Sequence, residues 1–231
     1  MPILNKIFFA FMVIAFSGSS NAALITTNGS NVSFTYDDSL LGFFGTPSVS
    51  GNSLIFAPTT FTASSSNSSP YDFKNGSFAV TINSLYGNTI SNTSLTESGT
   101  YAKIGGSADV FAGGSLTTTD LTNTPSKQSV SDITPTVPFA TTAFPKPVGD
   151  WEANANATFK NSFSVLANIN NILGTQKLQT SDFALINKLG MSLSVTTVPL
   201  AVTAVPLPQA VWLFGAGLLG LLQLSKRKNL I

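Results

Sequence analysis

Between Ala23 and about Ala204 the chain is a succession of short alternating or β-branched apolar runs, set apart by clusters of Asn, Ser, Gly and Pro. This is the pattern of an antiparallel β protein, because side chains alternate faces along a strand and turn residues punctuate it. The runs predict strands at Val32–Tyr36, Ser53–Phe56, Ser77–Ile82, Thr100–Ile104, Ala108–Phe111, Trp151–Phe159, Ser162–Ile169, Phe183–Ile186 and Met191–Thr197. Their number and spacing point to an all-β fold, an antiparallel two-sheet β-sandwich of jelly-roll-like type. Phe34 with Tyr36, and Phe78 with Val80 and Ile82, would share a face at period two and fill the core between the sheets. Residues 115–150 carry Pro125, Pro135, Pro138, Pro145 and Pro147. Proline cannot donate to a central ladder, so a long loop is expected there, with an edge strand or an interdomain linker as alternatives. The stretch Asn168–Lys188 leaves room for a short helix near Asn170.

Two segments break this pattern by being apolar without alternation. Ile7–Phe16 follows Lys6 and precedes Ser17-Gly-Ser-Ser-Asn-Ala22. That three-part arrangement predicts a secretory signal peptide over 1–22, read by the Sec translocon and cut between Ala22 and Ala23. At the other end Val205–Leu224 is almost wholly apolar, and twenty residues at about 1.5 Å rise span roughly 30 Å of hydrocarbon. Pro206 and Pro208 lack the amide hydrogens of a helix interior, so a short transmembrane helix is expected over Ala210–Leu224. Lys226, Arg227 and Lys228 would hold its end on the cytoplasmic side. A buried core helix is the alternative at either end. The predicted organisation is thus a signal peptide (1–22), an exported β-domain (23–200) and a C-terminal anchor segment (201–231).

Composition removes much chemistry. Of 231 residues only 9% are charged, against about 25% in an ordinary soluble domain. There is no His and no Cys, and Arg227 is the sole arginine. Imidazole bases, catalytic triads, thiolate zinc sites and disulfides are therefore excluded. Between the two end segments seven lysines face ten acids, a balance that gives no basic stripe for nucleic acid. The spacing Gly215-x-Gly217-x-x-Gly220 imitates a dinucleotide loop, but no strand precedes it and no acidic residue follows. Small residues of a membrane helix explain it better.

The order Val205-Pro206-Leu207-Pro208, then Ala210-Val-Trp212-Leu-Phe-Gly215, then Gly217-Leu-Leu-Gly220, then Lys226-Arg227-Lys228 resembles a PEP-CTERM sorting signal, in a variant with Leu207 at the middle position. The resemblance covers about 25 residues at the extreme C-terminus. It implies export by a Gram-negative bacterium and transient anchoring in the inner membrane. An exosortase-type membrane peptidase would recognise the segment near Pro206–Pro208, and the protein would end at the cell surface or outside it, in association with exopolysaccharide or biofilm.

Candidate sites in the exported region are few. Asp37 and Asp38 follow a strand and could contribute oxygens to a structural calcium ion, or simply form a polar turn. Asp150-Trp151-Glu152 places an indole beside two carboxylates and is the best local candidate for sugar contact, although period two puts Trp151 on the opposite face from both acids, as a core residue would be. Tyr71-Asp72 and Tyr86, expected in turns, are lesser candidates. Glu97-Ser-Gly-Thr-Tyr101 reads as a turn entering a strand. These features favour a non-enzymatic surface or matrix protein, with a carbohydrate-binding module as the alternative and a carboxylate-dependent glycoside hydrolase behind it. An exposed aromatic platform would favour the carbohydrate-binding reading.

Overall fold

A computed structural model describes residues 24–143, 147–200 and 212–219. The expected signal peptide over 1–22 and its Ala22–Ala23 junction, Val205 to Pro208, Gly220 and Lys226 to Lys228 lie outside these residues. The strands belong to one compact unit that ends at Val198, and Pro199–Ile231 forms a second. In the second unit residues 212–219 are helical, with Trp212 and Phe214 exposed. Among the described residues no helix is long and apolar enough to cross a membrane.

The first unit is all-β. Its strands are β1 (Leu24–Asn28), β2 (Val32–Asp37), β3 (Ser48–Ser50), β4 (Ser53–Phe56), β5 (Thr62–Ser65), β6 (Tyr71–Ser84), β7 (Asn88–Ile104), β8 (Asp109–Asp120), β9 (Gln128–Pro135), β10 (Gly149–Ser162), β11 (Ser164–Gln176) and β12 (Phe183–Pro199). They follow one hydrogen-bonded path, β1-β2-β6-β11-β8-β9-β10-β7-β12-β4-β3, with β5 also on β12. One half, β1-β2-β6-β11-β8, passes into the other through β9. That strand pairs with β8 along its length and with β10 at Pro135↔Ala153 and Thr134↔Asn154.

The two ends of the path also approach each other. Ser30 N donates to Gly51 O at 2.9 Å, and Asn31 N to the Asn52 side-chain oxygen at 2.7 Å, joining the β1–β2 and β3–β4 turns. The sheet is thereby curled almost into a barrel.

Inward residues alternate with outward ones, as the period-two pattern requires. The core is aromatic at one end. Phe44, from a short 3-10 turn at Gly42–Phe44, meets Phe56 of β4, Phe61 and Phe78 of β6 at centroid distances of 6.0, 5.6 and 6.2 Å. Phe56 and Phe78 pack edge to face at 5.0 Å across the interior.

Several expectations are corrected. Residues 115–150 are not one loop: β8 runs on to Asp120, and β9 occupies Gln128–Pro135 as the seam of the sheet. Pro135 is tolerated because it ends β9. The Asn170 region continues β11 and holds no helix. Glu97–Tyr101 lies inside β7 and is not a turn. The expected strands Phe183–Ile186 and Met191–Thr197 are one strand, whose inward positions shift from Ala184, Ile186 and Lys188 to Met191, Leu193 and Val195 across Leu189-Gly190. That slip of phase interrupts the alternation in the sequence.

Candidate functional site

Trp151 lies in β10 with only 2% of its surface exposed, and its indole Nε1 donates to Asn187 O at 3.0 Å. Phe139 packs against the ring at 6.5 Å. Asp150 and Glu152 point outward on the other face. The indole therefore has neither a free face nor a free donor for a sugar, and the three residues form no common surface. Asp37 accepts from Ser39 N at 2.9 Å and Ser39 Oγ at 2.6 Å, capping the 3-10 turn Asp38–Leu40. Asp38 is exposed. No group of three or more carboxylates suited to a metal occurs among the described residues.

An aromatic surface does exist, on the outer face of β6, β11 and β8. Cross-strand register places Phe73, Gly174 and Phe111 in one row. The next row outward is Tyr71, Gln176 and Asp109. Phe73 is 63% exposed, Phe111 52% and Tyr71 47%. The glycines make this arrangement sterically possible. A Cβ on Gly174 would lie 2.7 Å from the Phe73 ring, and one on Gly113 would lie 2.7 Å from the Phe111 ring. Each ring thus lies down over a glycine of the neighbouring row or strand rather than standing into solvent. Between them is a slot of about 80 Å³, bordered by Phe73, Phe111, Gly174 and Gln176.

Separate shallow depressions of about 270 Å³, at Asn75, Asn170 and Ile172, and about 380 Å³, at Ser77, Asn168 and Leu40, lie further along the same strands. From Gln176 to Asn168 this face covers eight residues of strand, roughly 27 Å at about 3.4 Å each. It offers apolar rings at one end and side-chain amides and hydroxyls along the rest. No lysine or arginine occupies an outward position of these three strands alongside it. The single acid, Asp109, has Lys103 Nζ at 3.0 Å. Apolar faces beside neutral hydrogen-bonding groups suit an uncharged polyhydroxylated chain.

The signal for this surface was present in the sequence. Tyr71 and Phe73 alternate in opposite phase to Phe78, Val80 and Ile82, so a strand running through all five must turn two aromatic rings outward. The turn expected at Tyr71-Asp72 is in fact the start of β6. Tyr86 does sit in a turn, with φ of 55° and 82% exposure.

A cleft of about 610 Å³ lies elsewhere, between the β8–β9 loop and the end of β10, and is lined by Asp120, Asn123, Lys127, Phe159 and Lys160. Asp120 is already saturated. It accepts from Ser162 Oγ at 2.8 Å, Thr122 N at 2.9 Å and Asn123 Nδ2 at 2.7 Å. Burial pushes its pKa up, but these hydrogen bonds outweigh burial and hold it below the ordinary value. Asp72 behaves alike: burial raises it, while Lys74 and the Ser64 N–H bring it down further. Asp182 is lowered first by Ser107, through its hydroxyl and its N–H. Such groups stay ionised and serve as braces rather than proton donors.

Because all three are depressed in the folded state, their stabilisation is fully present above the unfolded carboxylate value, about 3.9, and is lost as pH falls through the folded values. The urea midpoint is expected to be flat from neutrality to about pH 5 and to drop steeply below about pH 4. Asp120→Asn should reduce that drop if these contacts produce it.

One further cluster is internal. Glu97 of β7 and Lys188 of the neighbouring strand β12 meet with Nζ–Oε2 at 2.5 Å, their side chains 1% and 0% exposed. Phe61 and Phe44 lie 5.2 and 5.9 Å from the ammonium nitrogen. Glu97 Oε1 has no hydrogen-bond partner. Burial pulls the Lys188 pKa down, against the opposing pull of Glu97, and the net direction is downward. Parity groups Glu97 with Leu95 and Lys188 with Ala184 and Ile186 on the inward face, but nothing in the sequence shows that the two meet, 91 positions apart. Compared with protein-family models and with curated proteins, the chain matches none.

Proposed function

We propose that this chain is a non-enzymatic exported surface or extracellular-matrix protein that holds a neutral polysaccharide on the outer face of β6, β11 and β8. The observation that carries the reading is the row Phe73–Gly174–Phe111, in which the exposed Phe73 ring lies against Gly174 and the exposed Phe111 ring against Gly113. Exposed aromatic area of this kind marks a binding surface when polar groups flank it. In this reading the Sec translocon exports the chain, and the inner membrane of a Gram-negative cell holds it transiently. An exosortase-type peptidase then acts near Val205–Pro208 to deliver it to the cell surface or beyond. The β-domain is a two-sheet, jelly-roll-like sandwich closed along one side by β9, a description supported by the Phe56–Phe78 contact between the halves.

The test is affinity electrophoresis of the secreted protein in gels containing a neutral β-glucan or the producing cell's own exopolysaccharide. Retardation is expected, and the Phe73→Ala/Phe111→Ala variant should bind roughly 5- to 150-fold more weakly, since each of the two aromatic contacts contributes about 0.5–1.5 kcal/mol. Its melting temperature should hold, because both rings are largely outside the core. Gly174→Ala should also weaken binding, by displacing the Phe73 ring. Retardation that is indifferent to all three substitutions would remove this site.

A further inference from the structure

The chain has no cysteine, and so no disulfide can tie its strands. It does contain one pair of side chains placed for a different cross-link. Glu97 and Lys188 come from adjacent strands and are sealed from solvent, with the nitrogen 2.5 Å from Oε2. The Glu97 carboxyl carbon is one bond beyond that oxygen, which brings amine and carbon close to the separation of about 3–3.5 Å at which bound reactants react. We propose that Lys188 and Glu97 condense into an intramolecular amide bond that joins β12 to β7.

The environment selects the reactive forms. An ammonium and a carboxylate are each disfavoured by desolvation, and the aromatic walls supply no hydrogen bonds to compensate. Moving one proton from Lys188 to Glu97 leaves a neutral amine, which is nucleophilic, beside a neutral carboxylic acid, which is electrophilic. The unpartnered Glu97 Oε1 also loses its buried charge in that form.

In the condensation the Nζ lone pair forms a bond to Glu97 Cδ. One amine proton passes to the hydroxyl oxygen, the C–O bond breaks, and one water leaves. No oxidant, reductant or second reactant is consumed. The product is a neutral secondary amide, and two buried charges are gone. A dry core favours this direction, since water is a product.

Lys74, Lys103 and Lys177 lack these conditions. Lys74–Asp72 and Lys103–Asp109 are open to water, with side-chain exposures of 37% and 24%, and 21% and 65%. Lys177 is buried, but it is bonded to the carbonyl oxygens of Thr180 and Asp182 and to the Asn67 side-chain oxygen, none of them a carboxylate.

Tryptic peptide mapping of the denatured full chain by mass spectrometry tests the bond on the unaltered protein. Trypsin cannot cut after an acylated lysine. The expected product is therefore peptide 75–103 joined to a peptide that begins at Leu178 and continues past Lys188, lighter than the two together by one water. A linked fraction that grows on incubation of fresh protein would support the same conclusion. Lys188→Met should release peptide 75–103 at its full mass. Complete cleavage after Lys188 in aged, folded protein, with Glu97 recovered in an unmodified peptide, would overturn the proposal.

Discussion

Lys188→Met is expected to destabilise the protein by about 3–5 kcal/mol because it strands the Glu97 carboxylate in an apolar interior, and further by the loss of the link. A second substitution sharpens the result. If Glu97 and Lys188 formed only an ion pair, Lys188→Met/Glu97→Leu would recover most of the loss, since well-packed apolar residues replace buried pairs at little cost. With an amide between them, the double variant also loses a cross-link spanning 91 residues of chain. The chain-entropy relation assigns about 4.7 kcal/mol to a closed loop of roughly 100 residues. The double variant is therefore expected to recover only the part due to the stranded carboxylate and to stay about 4.7 kcal/mol below the parent. Denaturant unfolding of the three proteins checks this, and full recovery by the double variant would count against the covalent bond. Against a typical domain stability of about 5–15 kcal/mol, either loss is large.

Phe44→Ala is expected to cost about 3–5 kcal/mol, the range for truncating a buried aromatic residue. Phe44 is fully buried and touches Phe56, Phe61 and Phe78, so its removal opens a void where both halves of the sheet meet. The same substitution removes one wall beside Lys188. Water entering there would stabilise the ammonium form and slow amide formation, so the linked tryptic product should accumulate more slowly than in the parent. Thermal unfolding measures the first effect and the peptide map the second. A normal melting temperature would mean that the ring does not hold the two halves together.

The strands that alternate cleanly toward the core were legible from the sequence. Ser53–Phe56 coincides with β4, and Val32–Tyr36 lies within β2. Two misread boundaries share a physical cause: the apolar phase reverses or slips inside a single strand. In β6 it reverses, because Tyr71 and Phe73 face out while Phe78 and Val80 face in. In β12 it slips at Leu189-Gly190. A reader of period two sees a boundary at each place, whereas the backbone continues.

For β9, proline density hid a strand, since only the terminal Pro135 had to be accommodated. Trp151 followed the parity argument into the core, which removed the most conspicuous sugar-binding candidate. The residues that replaced it, Phe73 and Phe111, are 38 positions apart in sequence, and only cross-strand register sets them on either side of Gly174. Glu97 and Lys188 are equally unrelated along the chain.

The position of β12 has a mechanical consequence. It is the last strand of the unit, yet it lies between β7 and β4 rather than at an edge. Tension applied to the C-terminal segment would load its ladders lengthwise, so that many hydrogen bonds resist together instead of parting one by one as in a peeled edge. With Lys188 fastened to Glu97, only the eleven residues beyond the link, up to Pro199, could be drawn out before the force passed into β7. A protein tethered by that end would yield by a fixed short extension and then hold.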